Sequence, residues 1–202
     1  MTENRIHIRL ADISDAKELL AIYAPYVKET AITFEYTVPS IDEFTERIRN
    51  ICTRYPYLAA ICENEIVGYA YAGVFKERTA YDWAAEVSIY VKKGWHGKGI
   101  GRRLYTTLEG CLKQQNIVNL YACIASTETE DEYLTHDSIR FHERMSYKLI
   151  GEFRNCGYKF SRWYDMVWME KMIGIHQTNQ PEVIPFCKIK EDLWFDEKEC
   201  LK

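Results

Sequence analysis

Gly97-Lys98-Gly99-Ile100-Gly101 stands between an apolar run that alternates like a strand and a segment with helical spacing. A glycine turn that opens a helix leaves main-chain amides pointing outward without partners, and the helix dipole adds positive potential there. With no side chains in the way, a large anion can approach closely. This order of residues makes a cradle for a pyrophosphate, with Lys98, Arg102 and Arg103 as counter-charges. The plain alternative is a flexible turn beside a solvated basic face. Two better-known phosphate loops fail residue by residue. A G-x-G-x-x-G loop begun at Gly97 requires glycine at 102, where Arg stands, and begun at Gly99 requires it at 104, where Leu stands. A Walker loop requires Ser or Thr after Gly-Lys, and Gly97-Lys98 is followed by Gly99.

Upstream, Glu86 opens an otherwise apolar strand just behind Trp83, Ala84 and Ala85. A carboxylate in such surroundings has reason to hold its proton towards neutrality and serve as a base; otherwise it is a strand-end carboxylate in water or in an ion pair. Thr135, Ser138 and His142 follow i, i+3, i+7 spacing, so a helix places them on one face. By itself His142 reads as a half-exposed surface histidine. Lys76, Arg78 and Tyr81 put two cations and a phenol ahead of Glu86, suited to a ligand with an acidic head or to a solvated loop.

These groups need elements to hold them. Ile6 to Leu10 reads as a strand, and Asp12 or Ser14 caps a helix whose Ala16, Leu19, Leu20, Ile22 and Tyr23 share a face. Ser40 and Glu43 have capping-box spacing before a second helix with Phe44, Ile48 and Ile51. Residues 57–62 and 66–74, with a polar turn at Glu63-Asn64-Glu65, form a hairpin, and 86–91 is the next strand. Arg102 to Gln115 is a helix with Leu104, Leu108, Cys111 and Leu112 inward, followed by a strand at 120–125. A short helix at 137–145 and two late strands to Met172 complete a mixed architecture. After Gly174 the composition turns polar and proline-containing, a C-terminal extension that wraps or docks through PEVIPF and LWF.

A chain of 202 residues that is 47% apolar and 28% charged can bury one good core. The net charge of −4 gives no general attraction for nucleic acid or an anionic membrane, so anion binding must be local. No apolar run is long enough to span a bilayer, and MTENRIHIRL lacks signal-peptide order, so a cytoplasmic protein is expected. Seven scattered cysteines without a CxxC pair argue against a disulfide framework and a zinc site, leaving reduced packing thiols.

The glycine segment resembles the GNAT acetyltransferase superfamily, in which Arg or Gln, two variable residues, Gly, any residue, then Gly or Ala open the helix that binds the pyrophosphate of acetyl-CoA. His96, Gly99 and Gly101 hold those positions here, the histidine being a departure. KERTAYDWAAEVSIYV (76–91), FHERMSYKLIGEFRNCGYKFSRWYDMVWME (141–170) and RYPYLAAICENEIVGYAYAG (54–73) are similar, in the same order, to the phosphinothricin N-acetyltransferase family, and the resemblance spans about residues 5–172. It implies an α/β (α+β mixed) GNAT-type fold in residues 1–173, with a largely antiparallel central sheet flanked by helices, and an extension at 174–202. It implies an acetyl-CoA-dependent N-acetyltransferase acting on the primary amine of a small acceptor, an amino acid or analogue of the phosphinothricin or methionine sulfoximine type, with no metal.

In that resemblance Glu86 falls on the general base and His142 on an active-site acid or orienting group. Ser88, Ile89, Tyr90 and Val91 lie on the strand that splays from its neighbour and offers backbone groups to the thioester and pantetheine. His96, Gly97, Lys98, Gly99, Ile100, Gly101 and Arg102 hold the pyrophosphate, and Thr135 (for the usual Asn) and Ser138 face the coenzyme. Phe34, Lys76, Arg78 and Tyr81 face the acceptor. Glu35 replaces a common Arg and is expected to repel an acidic substrate, and Ser146 replaces a usual Gly. A polyamine, an aminoglycoside or a protein N-terminus stays open as acceptor, as does a non-catalytic coenzyme-A-binding module whose tail docks a partner. The expected partner is a small amine, with no nucleic acid and no membrane, and a homodimer is left open.

Overall fold

The computed structural model describes residues 6–191. The seven strands are β1 (His7–Leu10), β2 (Tyr57–Cys62), β3 (Glu65–Val74), β4 (Ala84–Val91), β5 (Asn119–Ser126), β6 (Lys148–Lys159) and β7 (Arg162–Met172). The helices are α1 (Ala16–Glu29), α2 (Ile41–Cys52), α3 (Ile100–Gln114) and α4 (Asp137–Arg144). The strands form one sheet in the order β1-β2-β3-β4-β5-β7-β6. Every neighbouring pair is antiparallel except β4 and β5. This is the mixed, largely antiparallel sheet expected.

Local chemistry sets the element ends. Asp12 accepts from the Ser14 amide and closes a reciprocal box with Asp15, while Ser40 and Glu43 do the same at the start of α2, a cap worth about 1 kcal/mol. Glu63 and Asn64, at φ +49° and +65°, make the two-residue turn between β2 and β3. The helix after the glycines begins at Ile100, two residues earlier than its apolar spacing indicates, because Gly99 ends the loop in the left-handed region.

The sheet divides two cores. On one face α1 and α2 cover a tyrosine-rich layer that includes Tyr23, Phe44, Tyr57 and Tyr69, with the half-buried Tyr71 and Tyr90 packed on it. On the other, Ala85 and Val87 of β4 meet Ile100, Leu104, Tyr105, Leu108 and Leu112 of α3, and Ile139 and Phe141 of α4 pack against them. The strand period of two sends alternate residues of β4 to opposite cores. Glu86, Ser88 and Tyr90 therefore face the tyrosine layer, while Ala85, Val87 and Ile89 face α3.

Part of the segment after Gly174 packs on the body of the fold. Trp83 Nε1 donates to the Pro181 carbonyl at 2.6 Å, the Ile184 and Phe186 amides donate to the carbonyls of Gln115 and Arg54, and Phe186 is buried. The LWF stretch lies outside the described residues. Cys52, Cys62, Cys111, Cys123, Cys156 and Cys187 are free thiols, and Cys200 lies outside the described residues. Among the described residues no helix is long and apolar enough to cross a membrane, and no His/Cys/Asp/Glu group of three has metal-ligand proximity.

Candidate active site

The glycine loop ends at the N-terminus of α3, where Gly99 is the N-cap at φ +79° and supplies no side-chain cap. The first-turn amides of α3 therefore point outward unclaimed by a cap. A Cβ added at Gly97 or Gly99 would meet nothing within 4 Å, so the space before these amides is open. Gly101 is different. A Cβ there would lie 2.9 Å from the Phe141 ring, so this glycine serves the close approach of α3 and α4. Of the loop's cations, Lys92 pairs with Glu65 and Lys93 with Glu29. Among the described residues Lys98, Arg102 and Arg103 are not ion-paired; Lys98 sits 4.3 Å from the centre of the Trp95 ring.

The parallel pairing of β4 with β5 covers three residues, Ala84 to Glu86 against Asn119 to Tyr121, and then stops. Beyond Glu86 the two strands diverge. Tyr26 of α1 enters the gap: its hydroxyl donates to the Val91 carbonyl at 2.5 Å, accepts from the Val91 amide at 3.2 Å, and lies 3.0 Å from His96 Nε2. With its proton given to Val91, the hydroxyl takes His96 Nε2–H as donor. The Val91 amide, expected to be available to a ligand, is thus already engaged. Two residues back, the same alternation turns the Ile89 N–H and C=O into the gap that β5 has left. Tyr90 contributes only backbone there, because its ring packs 4.9, 5.1 and 5.3 Å from Tyr23, Tyr26 and Tyr69.

Glu86 stands where the strands part. Burial pushes its carboxyl above the usual carboxylate range, against the opposing pull of Lys76. Its partner across β3 is Gly73, and a Cβ at Gly73 would meet nothing within 4 Å. Paired residues face the same side of a sheet, so open space adjoins the carboxylate. On the other flank Phe75 stacks on Tyr121 at 4.2 Å and meets Trp168 edge-on at 5.6 Å. Lys76 Nζ lies 5.0 and 5.5 Å from the Phe75 and Trp168 ring centres. Tyr81 leans edge-on against Phe75 at 5.9 Å, and Arg78 caps the 3-10 turn Thr79–Tyr81 from an exposed position. The aromatic platform of Phe75, Tyr121 and Trp168 carried no sequence signal, since its members come from three separate elements.

The segment between α1 and α2 closes this face. Phe34 lies against Gly157, where a Cβ would come within 2.3 Å of its ring. Lys159, 3% exposed, donates from Nζ to the Thr30 and Thr33 carbonyls at 2.8 and 2.7 Å, and Tyr36 donates to the Tyr158 carbonyl. Glu35 is not a bare charge: its Oε1 accepts from Arg47 Nη1 at 2.7 Å, which removes the expected repulsion of an acidic ligand.

His142 differs most from expectation. It is buried rather than half-exposed, at 3% exposure, with Nδ1 2.7 Å from the Ser138 carbonyl and Nε2 3.0 Å from the Tyr105 hydroxyl. A carbonyl only accepts, so Nδ1 carries the proton and Nε2 accepts from Tyr105. Burial pulls its pKa down to about 4, against the raising effect of the Ser138 bond. The ring is neutral, and both nitrogens are committed to bonds within the fold. Thr135 does not share its face either: α4 starts at Asp137, and Thr135 is exposed with its hydroxyl on Asp137 Oδ2. Ser138 is half-buried, its carbonyl given to His142. Ser146, in the position expected to hold glycine, has φ +69°.

His142 makes the protein acid-labile. Its folded pKa, near 4, lies below its ordinary 6.5, so the unfolded chain binds this proton first. The stability it contributes is fully present above pH 6.5 and is lost as pH falls towards 4, a difference of about 3 kcal/mol. Urea midpoints measured across that window should fall steeply for the wild type and less steeply for His142→Gln; parallel curves would contradict the assignment.

A family model described as an acetyltransferase (GNAT) domain matches residues 8–168. A phosphinothricin N-acetyltransferase of Streptomyces viridochromogenes is 30% identical over 177 residues, covering 87% of this chain and 92% of that protein. An L-methionine sulfoximine/L-methionine sulfone acetyltransferase of Pseudomonas paraeruginosa is 29% identical over 168 residues, covering 81% and 92%. Among solved structures, a GNAT superfamily phosphinothricin acetyltransferase from Sinorhizobium meliloti in complex with AcCoA superposes with a TM-score of 0.81 at 31% identity, covering 90% of this chain and 97% of that one.

Proposed function

The chain belongs to the GNAT acetyltransferase family and is an acetyl-CoA-dependent N-acetyltransferase of a small amine; from that premise we propose that its acceptor is an amino acid or close analogue, with Glu86 as general base. The observation that carries this reading is the end of the β4–β5 pairing at Glu86, which sets a half-buried carboxylate with a raised pKa beside the open strand edge. The relatives named for phosphinothricin and for methionine sulfoximine or sulfone point to the same acceptor class.

The uncapped amides of α3 and the open space at Gly97 and Gly99 fit a diphosphate, with Lys98 and Arg102 as nearby cations. Bound there, acetyl-CoA supplies the acetyl group as an activated thioester. Glu86 removes the proton of the acceptor's ammonium, which a base with a raised pKa does well near neutrality. The Ile89 N–H, held rigidly in the gap, is placed to hold negative charge developing on an acyl oxygen. Lys76, Arg78 and Tyr81 hold the acceptor's carboxylate, and Phe34 closes over it. His142 orients α4 through Ser138 and Tyr105 and gives up no proton.

We further propose that residues 1–173 are the catalytic unit and that the extension braces the loop bearing Lys76, Arg78 and Tyr81 through Trp83 and Pro181. Exposed Leu149, Ile150, Phe153 and Trp163 on the edge hairpin of β6 and β7 favour a homodimer. The location we propose, on the sequence reading alone, is cytoplasmic.

The test is thiol release from acetyl-CoA with a panel of amines. Amino acid analogues should support turnover and polycationic amines should not; the reverse order would refute the acceptor class. Gly73→Val sharpens it. Its Cβ meets no atom within 4 Å, and the side chain projects into the space beside Glu86. Turnover with the acceptor should fall on the order of 100-fold while the melting temperature stays put; an active variant would place the amine elsewhere.

A further inference from the structure

The tyrosine layer holds a small cavity of about 110 Å³, lined by Tyr23, Phe44, Arg47, Tyr57, Tyr71 and Tyr90 among others. Tyr71 links it to the reaction centre. It pairs with Ser88 in the register that sets Gly73 opposite Glu86, so Tyr71 and Glu86 are diagonal neighbours on one face. Burial first, and then the charges of Glu86 and Glu35, push the Tyr71 hydroxyl's pKa up, while a Ser88 hydrogen bond and Arg47 oppose them. Arg47 lines the same cavity as Tyr71, so the direction from Glu86 past Tyr71 leads towards Arg47 and its partner Glu35.

The end of that path has unusual chemistry. Glu35 Oε1 takes Arg47 at 2.7 Å, but Glu35 Oε2 is buried without a hydrogen-bond partner. Glu35 also acts on the Tyr23 hydroxyl, whose own bond goes to Thr33 at 3.0 Å, so it stands between two residues that line the cavity. Its loop is pinned by Lys159 through the Thr30 and Thr33 carbonyls, and although 34% of the Glu35 side chain is exposed, Oε2 itself is shut off from solvent. A buried carboxylate oxygen lacking a donor is a cost that a ligand's N–H relieves. The guanidinium of Arg47, with five donors, still has bonds to give to a ligand oxygen. Its charge, however, is balanced by Glu35, so the pair offers no net attraction to an anion.

We propose that Glu35 and Arg47 select the distal group of the acceptor, favouring a neutral head that presents one N–H beside one oxygen, a sulfoximine or carboxamide, over a phosphinate or carboxylate. The proposal rests on the amino acid acceptor reading above. The aromatic walls take the apolar body of the side chain, Glu35 Oε2 accepts the N–H, and Arg47 donates to the oxygen.

The experiment compares kcat/KM for methionine sulfoximine, glutamine, phosphinothricin and glutamate by thiol release, in the wild type, Glu35→Gln and the double variant Glu35→Gln/Arg47→Gln. The wild type should prefer the neutral member of each matched pair. Glu35→Gln exposes the Arg47 charge and should shift preference at least tenfold towards the anionic heads, mainly through KM. The double variant restores neutrality and should return the preference, which a general loss of folding would not do. Turnover of all four substrates with a preference that Glu35→Gln leaves unchanged would overturn this inference alone. Release with none of the four, but with an unrelated amine, would instead overturn the acceptor reading on which it rests.

Discussion

Glu86→Gln should bind acetyl-CoA as the wild type does and lose turnover on the order of 10²- to 10⁴-fold, the usual contribution of a positioned general base. The substitution keeps size and hydrogen-bonding capacity and removes the ability to accept a full proton. The carboxyl sits where β4 leaves β5, on the opposite face of β4 from α3, so the coenzyme loop is untouched. Its raised pKa also fixes the shape of the pH dependence. Below that pKa the group is protonated and inactive as a base, so wild-type turnover rises with pH and levels once the carboxylate is formed. The Gln variant should lack that limb. A variant that kept both the rate and the limb would assign the base elsewhere.

What the sequence made legible was local. The cap at Ser40 and the inward row Leu104, Leu108, Cys111 and Leu112 depend on residues within one element and stand as read, whereas Asp12 caps the 3-10 turn Ile13–Asp15 ahead of α1, and the turn read over Glu63-Asn64-Glu65 is shorter because Glu65 opens β3. The glycine loop was legible for the same reason, except that Gly101 proved to be a packing glycine under Phe141, a residue from another helix. What escaped reading was set by partners far along the chain. Nothing local marks Tyr26, yet its hydroxyl closes the Val91 end of the gap across 65 residues. Nothing local marks Lys159 either, yet it is buried and bonded to the carbonyls of Thr30 and Thr33. Glu35 looked like an uncompensated charge because Arg47 reaches it from the next helix. His142 has spacing that suggests a helix surface, and only the arrival of Tyr105 and Tyr147 against it turns that surface into core.

The central claim is that main-chain amides after Gly99 hold the coenzyme's diphosphate, and Gly99→Val attacks it directly. Gly99 sits at φ +79°, where an L residue costs about 1–2 kcal/mol and a β-branched one more. The added Cβ meets nothing within 4 Å, so the loop is free to relieve its strain by moving, and the amides of Ile100 and Gly101 then lose their common aim. Each charge-assisted hydrogen bond lost is worth roughly 1.5–3 kcal/mol, so acetyl-CoA should bind about 100-fold more weakly. The fold should persist, since the strain is small against the stability of a domain. The direct measurement is a calorimetric titration of acetyl-CoA into the wild type and into Gly99→Val at matched melting behaviour. A loss of two orders of magnitude in affinity is predicted, and equal affinities would contradict the account.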